Sequence, residues 1–378
     1  MEQVTKKSIE KLGVETSLLG FGCMRFPTID GRIDNVRAEK MLDEAIARGV
    51  NYIDTAYPYH NGESEPFTGR VLDKYPRDSY FLASKLPMWL INTLDDAKRI
   101  FNEQLERLNK DRIDFYLLHA LGKDGWEKVK RLGIIEYCEQ LQKEGKIRFF
   151  GFSFHDSYEV FEEIASFRDW DFCQIQLNYM DTMEQAGMKG YELTEKLNIP
   201  LVIMEPVKGG SLANLPDEIT AKFKELDPDA STASWALRWV ASLPNVKVVL
   251  SGMSDEAQVS DNLNTFTDFK PLTGEENKAV SEIADVLARR VYNGCTGCNY
   301  CMPCPAGVNI PYNFKIWNTY GIYGNKGHTN WQWNQDIDEK QKAVHCIKCG
   351  KCEKHCPQKL PIREHLERLQ NELDNLYK

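Results

Sequence analysis

The sequence lacks the features that would assign it to a membrane or to a secreted protein. No apolar run in its 378 residues approaches the roughly 20 residues that span a bilayer. The N-terminal stretch MEQVTKKSIEKLG has no apolar core of the kind found in secretory signals. We therefore expect no membrane insertion and a cytoplasmic, reducing location, where structural disulfides are rare.

An excess of positive charge is also missing. Lys and Arg number 47 against 56 Asp and Glu, so the formal net charge is −9. This balance disfavours a general nucleic-acid or anionic-membrane surface, and we expect no nucleic-acid partner. With 42% hydrophobic and 27% charged residues, the composition is that of a globular protein. The length suits one domain of about 250 residues and a smaller one.

Cysteine is scarce in the first 290 residues and frequent after them. Only Cys23, Cys138 and Cys173 lie in the first part. Eight cysteines follow: Cys295, Cys298, Cys301, Cys304, Cys346, Cys349, Cys352 and Cys356. The change in composition predicts a domain boundary, with a first domain at 1–272, a connecting helix at 273–290 and a cysteine-rich domain at 291–378.

Apolar strand-like runs alternate with segments of helical period over the first 270 residues. We expect strands at Leu18–Gly22, Val50–Thr55, Tyr80–Lys85, Asp114–His119, Ile147–Phe152, Phe172–Leu177, Pro200–Met204 and Val246–Leu250. Such alternation indicates parallel βαβ units, and eight units over about 250 residues predict a closed (β/α)8 barrel. No Gly-x-Gly-x-x-Gly follows the first strand, which disfavours an open dinucleotide-binding sheet. The segment 305–345 has helical texture, and Ile362–Leu376 predicts an amphipathic helix.

Four polar residues are expected at one mouth of this barrel. Asp54, Lys85 and His119 lie at or near the ends of the second, third and fourth strands, and Tyr59 lies on the loop after the second. The carboxyl ends of barrel strands carry the chemistry of this fold. Each residue alone has an ordinary structural explanation, as a loop cap, a packed aromatic, a solvated charge or a structural histidine. Their occurrence together favours a site.

Several motifs resemble the aldo-keto reductases over residues 8–270. These are Gly20-Phe-Gly-Cys-Met-Arg25, Asp54-Thr-Ala-Tyr-Pro-Tyr59, Ser84-Lys85, Asp114-Phe-Tyr-Leu-Leu-His119, Gly151-Phe-Ser153 and Gln174-Ile-Gln-Leu-Asn178. The resemblance implies an Asp54–Tyr59–Lys85–His119 tetrad that reduces a small carbonyl compound or oxidises an alcohol. A tyrosine hydroxyl, with an ordinary pKa of about 10, supplies the proton once an adjacent ammonium favours its phenolate. A neutral histidine can orient the substrate carbonyl.

The resemblance also implies an NAD(P)H site. It assigns Ser153 and Gln176 to the nicotinamide carboxamide and Asp54 to the ribose. Further expected contacts are Gly22, Met24, Ser251, Gly252, Gln258 and Asn262. Two departures stand out, because Phe154-His155 follows Ser153 where the family commonly has Asn, and no cation follows the last strand to hold a 2′-phosphate. The choice between NADH and NADPH therefore stays open.

The cysteine-rich end carries two cluster motifs. Cys346-x2-Cys349-x2-Cys352-x3-Cys356-Pro matches the bacterial ferredoxin run for a [4Fe–4S] cluster. The run from Cys295 to Cys304 has the same form with one residue fewer before its last cysteine. In two-cluster proteins the fourth cysteine ligates the other cluster. By that analogy one set is Cys295, Cys298, Cys301 and Cys356, and the other is Cys304, Cys346, Cys349 and Cys352.

Zinc is the competing interpretation of these cysteines. Structural zinc sites use two Cys pairs with a longer spacer, and two triplets that each have a fourth Cys-Pro fit that pattern poorly. We therefore expect two [4Fe–4S] clusters in a small, mainly helical ferredoxin-like domain.

The two halves together suggest a nicotinamide-dependent oxidoreductase whose clusters exchange electrons with a partner protein. They resemble a bacterial subgroup of aldo-keto reductases with a C-terminal iron–sulfur domain. Two alternatives remain at this point. The barrel can be mainly a binding scaffold for an electron-transfer module, or the clusters can be structural or regulatory.

Overall fold

A computed structural model describes residues 2–376 and divides into two compact units. The barrel unit extends to Lys208 and resumes over Ser234–Thr273. The C-terminal unit comprises Gly209–Ala233 and the chain from Gly274 onward. These units differ from the predicted boundaries, because residues 209–233 and the connecting helix both belong to the C-terminal unit. No helix within residues 2–376 has the length and apolar character to cross a membrane.

The barrel consists of eight parallel strands, and every predicted strand is confirmed with ends shifted by two residues or fewer. They are β3 (Leu19–Gly22), β6 (Tyr52–Asp54), β7 (Phe81–Pro87), β8 (Ile113–Leu121), β9 (Ile147–Phe154), β10 (Phe172–Gln176), β11 (Leu201–Met204) and β12 (Val246–Gly252). They pair in chain order, and β12 closes on β3. Two antiparallel hairpins lie outside the barrel: β1 (Lys6–Ile9) with β2 (Val14–Ser17), and β4 (Thr28–Ile29) with β5 (Arg32–Ile33).

Helices follow the strands as the βαβ pattern predicts. They are α1 (Asn35–Ala47), α2 (Ser64–Leu72), α3 (Leu94–Leu108), α5 (Ile134–Lys143), α6 (Tyr158–Phe167), α7 (Gly187–Lys196), α9 (Thr232–Ala241) and α10 (Glu256–Phe266). The clearest period, in α3, begins at a Thr93–Asp96 capping box and ends at Asn109 in the left-handed conformation. The sequence interpretation missed α4 (Lys123–Leu132), which buries only Trp126 and Val129 and contains Gly125.

Strand alternation determines which side chains enter the barrel. The inward-facing core consists of Tyr52, Ala83, Phe115, Leu117, Phe149, Phe172, Val202, Val248 and Leu250, with Ile9 beneath. Gly20 completes this layer because a Cβ there would lie 2.6 Å from Val248 Cγ1. Further along the strands, by two residues from this layer or by four in β9, the inward positions are polar. They include Asp54, Lys85, His119, Ser153 and Gln174.

The C-terminal unit is helical, as predicted. Its helices are α8 (Asp217–Leu226), α11 (Gly274–Ala288), α12 (Ile310–Tyr323), α13 (Lys326–Trp331), α14 (Lys351–His355) and α15 (Ile362–Asn375). The unpredicted α8 packs on α11, and Lys222 forms an ion pair with Glu282. This packing explains why residues 209–233 belong to the unit. The amphipathic stripe of α15 is confirmed, since Leu366, Leu369 and Leu373 pack in one core with Trp317 and Trp333.

Candidate active site

A buried ammonium lies at the centre of the barrel mouth. Lys85 is fully buried, and its Nζ donates a hydrogen bond to Asp54 Oδ1 at 2.6 Å. The same nitrogen donates to the Tyr59 hydroxyl at 3.2 Å and to the Thr55 carbonyl at 2.8 Å. Asp54 lies at the end of β6, and Lys85 is two residues beyond the inward Ala83 of β7. The alternation of two adjacent strands thus places the carboxylate and the ammonium side by side.

The three groups influence one another's ionisation. Burial alone would lower the pKa of Lys85, but the Asp54 carboxylate and Tyr59 outweigh it and hold this pKa above its usual value. Burial raises the pKa of Tyr59, and Lys85 opposes that rise only in part. The expectation that the ammonium brings the tyrosine pKa below its usual value is therefore not met, because burial is the larger effect. Tyr59 carries its proton at neutral pH.

His119 lies beside the tyrosine. The two ring centroids are 6.0 Å apart in an edge-to-face arrangement, and the centroid of the Trp89 ring lies 4.9 Å from that of the imidazole. Burial, with Lys85 and His155 nearby, holds the pKa of His119 well below its usual value, so the imidazole is neutral. All four predicted catalytic residues are thus brought together, and half-exposed Trp89 forms a wall of the same mouth.

A buried polar network lies behind Lys85. Glu65 Oε1 accepts hydrogen bonds from Ser84 Oγ at 2.6 Å and from Gln104 Nε2 at 2.8 Å. Gln104 Nε2 also donates to the Lys85 carbonyl at 3.1 Å, and its Oε1 accepts from Tyr116 at 2.7 Å. Burial raises the pKa of Glu65. The network joins α2, α3, β7 and β8 at the backbone of the lysine, and the sequence interpretation did not identify it.

A hydroxyl side chain on β9 and an amide side chain on β10 line the mouth. Ser153 and Gln174 are directly opposite each other on these neighbouring strands. Gln174 Oε1 is buried and has no hydrogen-bond partner within residues 2–376. The predicted contact Gln176 is different, because it donates to Asp181 at 3.0 Å and accepts from Gln185 at 3.3 Å. Of the two glutamines, Gln174 is the one that leaves a buried amide oxygen for a ligand.

The ends of the first and last strands contain the remaining predicted cofactor residues. Ser251 Oγ accepts from buried Asn262 Nδ2 at 2.8 Å, and Gln258 bonds to the N-cap Asp255. Gly22 and Gly252 are paired neighbours on β3 and β12, and Met24 is exposed just beyond.

Arg25 lies beside Gly252 at the end of β12, although no cation follows this strand in the sequence. A Cβ at Gly252 would lie 2.7 Å from Arg25 Cγ, so the arginine from the loop after β3 covers this glycine. A strand register, and not a local motif, brings Arg25 to this position.

The eight late cysteines line two cavities in the C-terminal unit. One cavity has Cys295, Cys298, Cys301 and Cys356 in its wall. The other has Cys304, Cys346, Cys349 and Cys352, with Cys301 also reaching it. No three His, Cys, Asp or Glu side chains in residues 2–376 converge as they would around a single metal ion. Four thiols spaced around each cavity are a donor set that fits a [4Fe–4S] cluster.

Comparison with known proteins identifies both parts of the chain. Residues 18–285 match the model of the aldo/keto reductase family. The chain belongs to the aldo/keto reductase family. Residues 294–360 of this aldo/keto reductase match a 4Fe-4S dicluster domain, which decides against the zinc interpretation. The protein is thus an NAD(P)-dependent oxidoreductase of the aldo-keto reductase type with an iron–sulfur domain.

Its relatives cover about two thirds to three quarters of the chain. An uncharacterized oxidoreductase, YqkF, from Bacillus subtilis is 27% identical over 310 residues, which cover 73% of this aldo/keto reductase and 95% of the relative. A glyoxal reductase from the same organism is 27% identical over 255 residues, covering 67% and 84%. The holo form of aldo-keto reductase AKR11C1 from Bacillus halodurans has a TM-score of 0.63 at 26% identity, covering 74% and 96%.

Proposed function

We propose that this aldo/keto reductase reduces a small carbonyl compound, or oxidises the corresponding alcohol, with Asp54, Tyr59, Lys85 and His119 as its catalytic residues. The observation that carries the proposal is the buried Lys85 ammonium, bonded to the Asp54 carboxylate and to the Tyr59 hydroxyl. A bound nicotinamide cofactor would supply the hydride. The similarity to a glyoxal reductase supports a small carbonyl compound as the substrate.

Tyr59 and His119 divide the work on the substrate oxygen. Neutral His119 donates a hydrogen bond that orients the carbonyl beside Tyr59. Tyr59 gives its proton to the oxygen as negative charge develops there, and Lys85 stabilises the phenolate that remains. Asp54 keeps Lys85 charged throughout. In the oxidation direction the same tyrosine accepts the proton.

The chain's own polar groups fit a nicotinamide cofactor. The unpartnered amide oxygen of Gln174 and the hydroxyl of Ser153 lie opposite each other, so we assign the carboxamide to this pair in place of the predicted Gln176. Asp54 Oδ2, buried and without a partner among residues 2–376, is the remaining acceptor for a ribose hydroxyl. The remaining candidate contacts are Ser251, Asn262, Gly22, Gly252, Met24 and Gln258. Arg25, which covers Gly252, adds a cation for a phosphate.

The C-terminal unit is proposed to hold two [4Fe–4S] clusters that exchange electrons with a partner protein. One ligand set is Cys295, Cys298, Cys301 and Cys356, and the other is Cys304, Cys346, Cys349 and Cys352. The cavity linings support this crosswise division of the two runs. Such clusters transfer single electrons. A reducing, cytoplasmic compartment belongs to the proposal because all eight ligands must remain thiolates.

Tyr59→Phe tests the catalytic assignment. The change removes the hydroxyl that supplies the proton and leaves the ring in place, so NAD(P)H-dependent reduction of glyoxal and related small carbonyl compounds should fall by at least about a hundredfold. Cofactor affinity, measured by fluorescence titration, should stay within about twofold of the wild type. Tyr57→Phe is the matched control, because its hydroxyl donates to Glu103 and not to Lys85. Undiminished turnover in the Tyr59 variant would exclude the proposed role.

A further inference from the structure

The two cysteine runs lie in different electrostatic surroundings. Between residues 291 and 314 the sequence contains no Asp, Glu, Lys or Arg. Between residues 340 and 363 it contains seven Lys and Arg residues and one Glu, in a chain whose formal net charge is −9. The surroundings of the second run are thus basic in a protein that is otherwise acidic.

Part of this basic charge is already neutralised within the unit. Arg363 pairs with Glu353 at 2.8 Å, and Lys348 pairs with Glu367 at 2.8 Å. Lys351, Lys354 and Lys359 are exposed, and within residues 2–376 none of them forms an ion pair. Lys340 is likewise exposed and forms no ion pair among the described residues, so the surface around the second run presents four unpaired ammonium groups, three of them between residues 351 and 359. Glu364 is the one carboxylate among the α15 residues of the neighbouring cavity that lies outside the ion pairs named above.

Exposed apolar side chains share a cavity wall with Lys351, the first of these three lysines. Ile347 is 66% exposed and Tyr300 is 68% exposed, and both line the same cavity as Cys304, Cys346 and Cys349. Cys349 itself is exposed. An apolar centre with a charged rim is the usual anatomy of a protein–protein interface. Here that centre lies at the cysteines that would hold a cluster.

We propose that Tyr300, Ile347, Lys351, Lys354 and Lys359 form the docking surface for an acidic one-electron carrier protein. The proposal rests on the proposed electron-exchange function and adds to it the surface and the charge of the partner. Complementary charge steers diffusional encounter and raises the association rate, while the apolar centre supplies contact area. The neutral first run lacks the charge to perform the same role.

The probe for this surface is a flavodoxin, which is an acidic one-electron carrier protein. The full-length protein loaded with its iron–sulfur clusters (the loaded protein) is immobilised under anaerobic conditions. Flavodoxin binding is then measured by surface plasmon resonance. The test variant is K351E/K354E/K359E, and K351Q/K354Q/K359Q repeats the test without reversing charge next to the cysteines. K6E/K143E/K196E is the matched control, since it has the same change in net charge at exposed lysines of the barrel unit. Full iron content is confirmed for each variant.

The wild type and the control should bind flavodoxin alike, and the charge-reversed variant about tenfold or more weakly at about 0.01 M salt. The neutral variant should be intermediate, and all differences should vanish at about 1 M salt, where screening is nearly complete. Basic cytochrome c, measured in the same way, should not bind the wild type and the variants in this order of affinity. Equal binding by the wild type and both lysine variants would overturn the proposal and leave these lysines only to offset the thiolate charge.

A second measurement separates the surface from the function it serves. In stopped-flow mixing, one electron leaves reduced flavodoxin and is taken up by the loaded protein, with no bond made or broken. Slower uptake by the charge-reversed variant than by the control supports the surface. If the wild type takes up electrons readily and the variant does so equally fast, the surface is wrong while electron exchange stands. If the wild type takes up none despite full iron content, electron exchange itself fails.

Discussion

Lys85 is the residue whose environment explains most of the site. A fully buried ammonium loses its hydration, and it remains charged only where acceptors replace the water. Asp54 and the Thr55 carbonyl provide two of these acceptors, and Tyr59 provides the third contact. Removing Asp54 would leave an uncompensated buried charge, so we regard Asp54 as the group that maintains the lysine and not as a proton donor.

The ionisation of Tyr59 and His119 predicts the pH dependence of catalysis. Burial raises the pKa of Tyr59 above its usual value of 10 and lowers that of His119 well below 6.5. Reduction needs the protonated tyrosine and the neutral histidine, and both forms persist between those two values. The kcat/KM for carbonyl reduction should therefore be flat from about pH 6.5 to about pH 10 and decline only outside that range.

Alcohol oxidation provides the complementary check on the same tyrosine. It needs the phenolate, so its kcat/KM should rise with pH across the whole range up to about 10. A reduction profile that falls steeply through pH 7 to 8 would show that another group donates the proton.

Single residues differ in how far the sequence could identify them. Asp54, Lys85 and His119 lie at strand ends that hydrophobic patterning located within two residues, so their convergence could be predicted. The sequence interpretation did not assign Gln174 to the cofactor site. Gln174 lies two residues after inward-facing Phe172, just as Lys85 lies two residues after inward-facing Ala83. Arg25 could not be found in this way, because only the closure of β12 on β3 brings it to Gly252.

At the scale of elements, the Glu65–Gln104 network ties two helices to the catalytic strand. We expect Glu65→Ala to reduce the free energy of unfolding by about 1–3 kcal/mol, because Ser84 Oγ and Gln104 Nε2 then lose a buried acceptor. It should also lower kcat, since Gln104 bonds the Lys85 carbonyl. Glu65→Gln keeps an acceptor oxygen and should recover most of both losses.

Urea unfolding and steady-state kinetics on the folded protein check this expectation. The two readouts separate packing from positioning. If Glu65→Ala lowers stability while kcat and the pH profile stay as in the wild type, the network supports the fold without positioning Lys85.

The elements that the sequence did not predict share a physical cause. Most residues of the eight strands are buried, and their largely apolar runs are visible without tertiary information. Helix α8 has no partner within its own stretch of sequence, because it packs on α11 about fifty residues later. For the same reason, the extent of the two compact units could not be predicted from the cysteine distribution. The cysteines mark only the later part of the C-terminal unit.

At the scale of the whole molecule, the crosswise cysteine sets predict how iron is lost. The intact protein, purified anaerobically, should hold about eight irons and a similar amount of sulfide per chain. Because Cys304 and Cys356 belong to different sets, either single serine variant should perturb one cluster and leave the other. Each should retain at least about four irons, and the double variant should disturb both.

Cys138→Ser is the control for this series, since Cys138 is buried in the barrel unit. It should keep the full iron content. About two zinc ions per chain in place of iron would contradict the cluster assignment.

Following deuterium from the nicotinamide ring to the product tests most directly whether the substrate is reduced by hydride transfer at the barrel mouth. Loaded protein is mixed anaerobically with glyoxal and NADH or NADPH that carries deuterium at the transferred position of the nicotinamide ring, and the product is analysed by mass spectrometry and NMR. We predict deuterium on the carbinol carbon in the wild type and in protein stripped of iron, and at least about a hundredfold less product in the same time with Tyr59→Phe. Product formed by the wild type without deuterium would contradict hydride transfer at the barrel mouth and would instead assign the reducing electrons to the clusters.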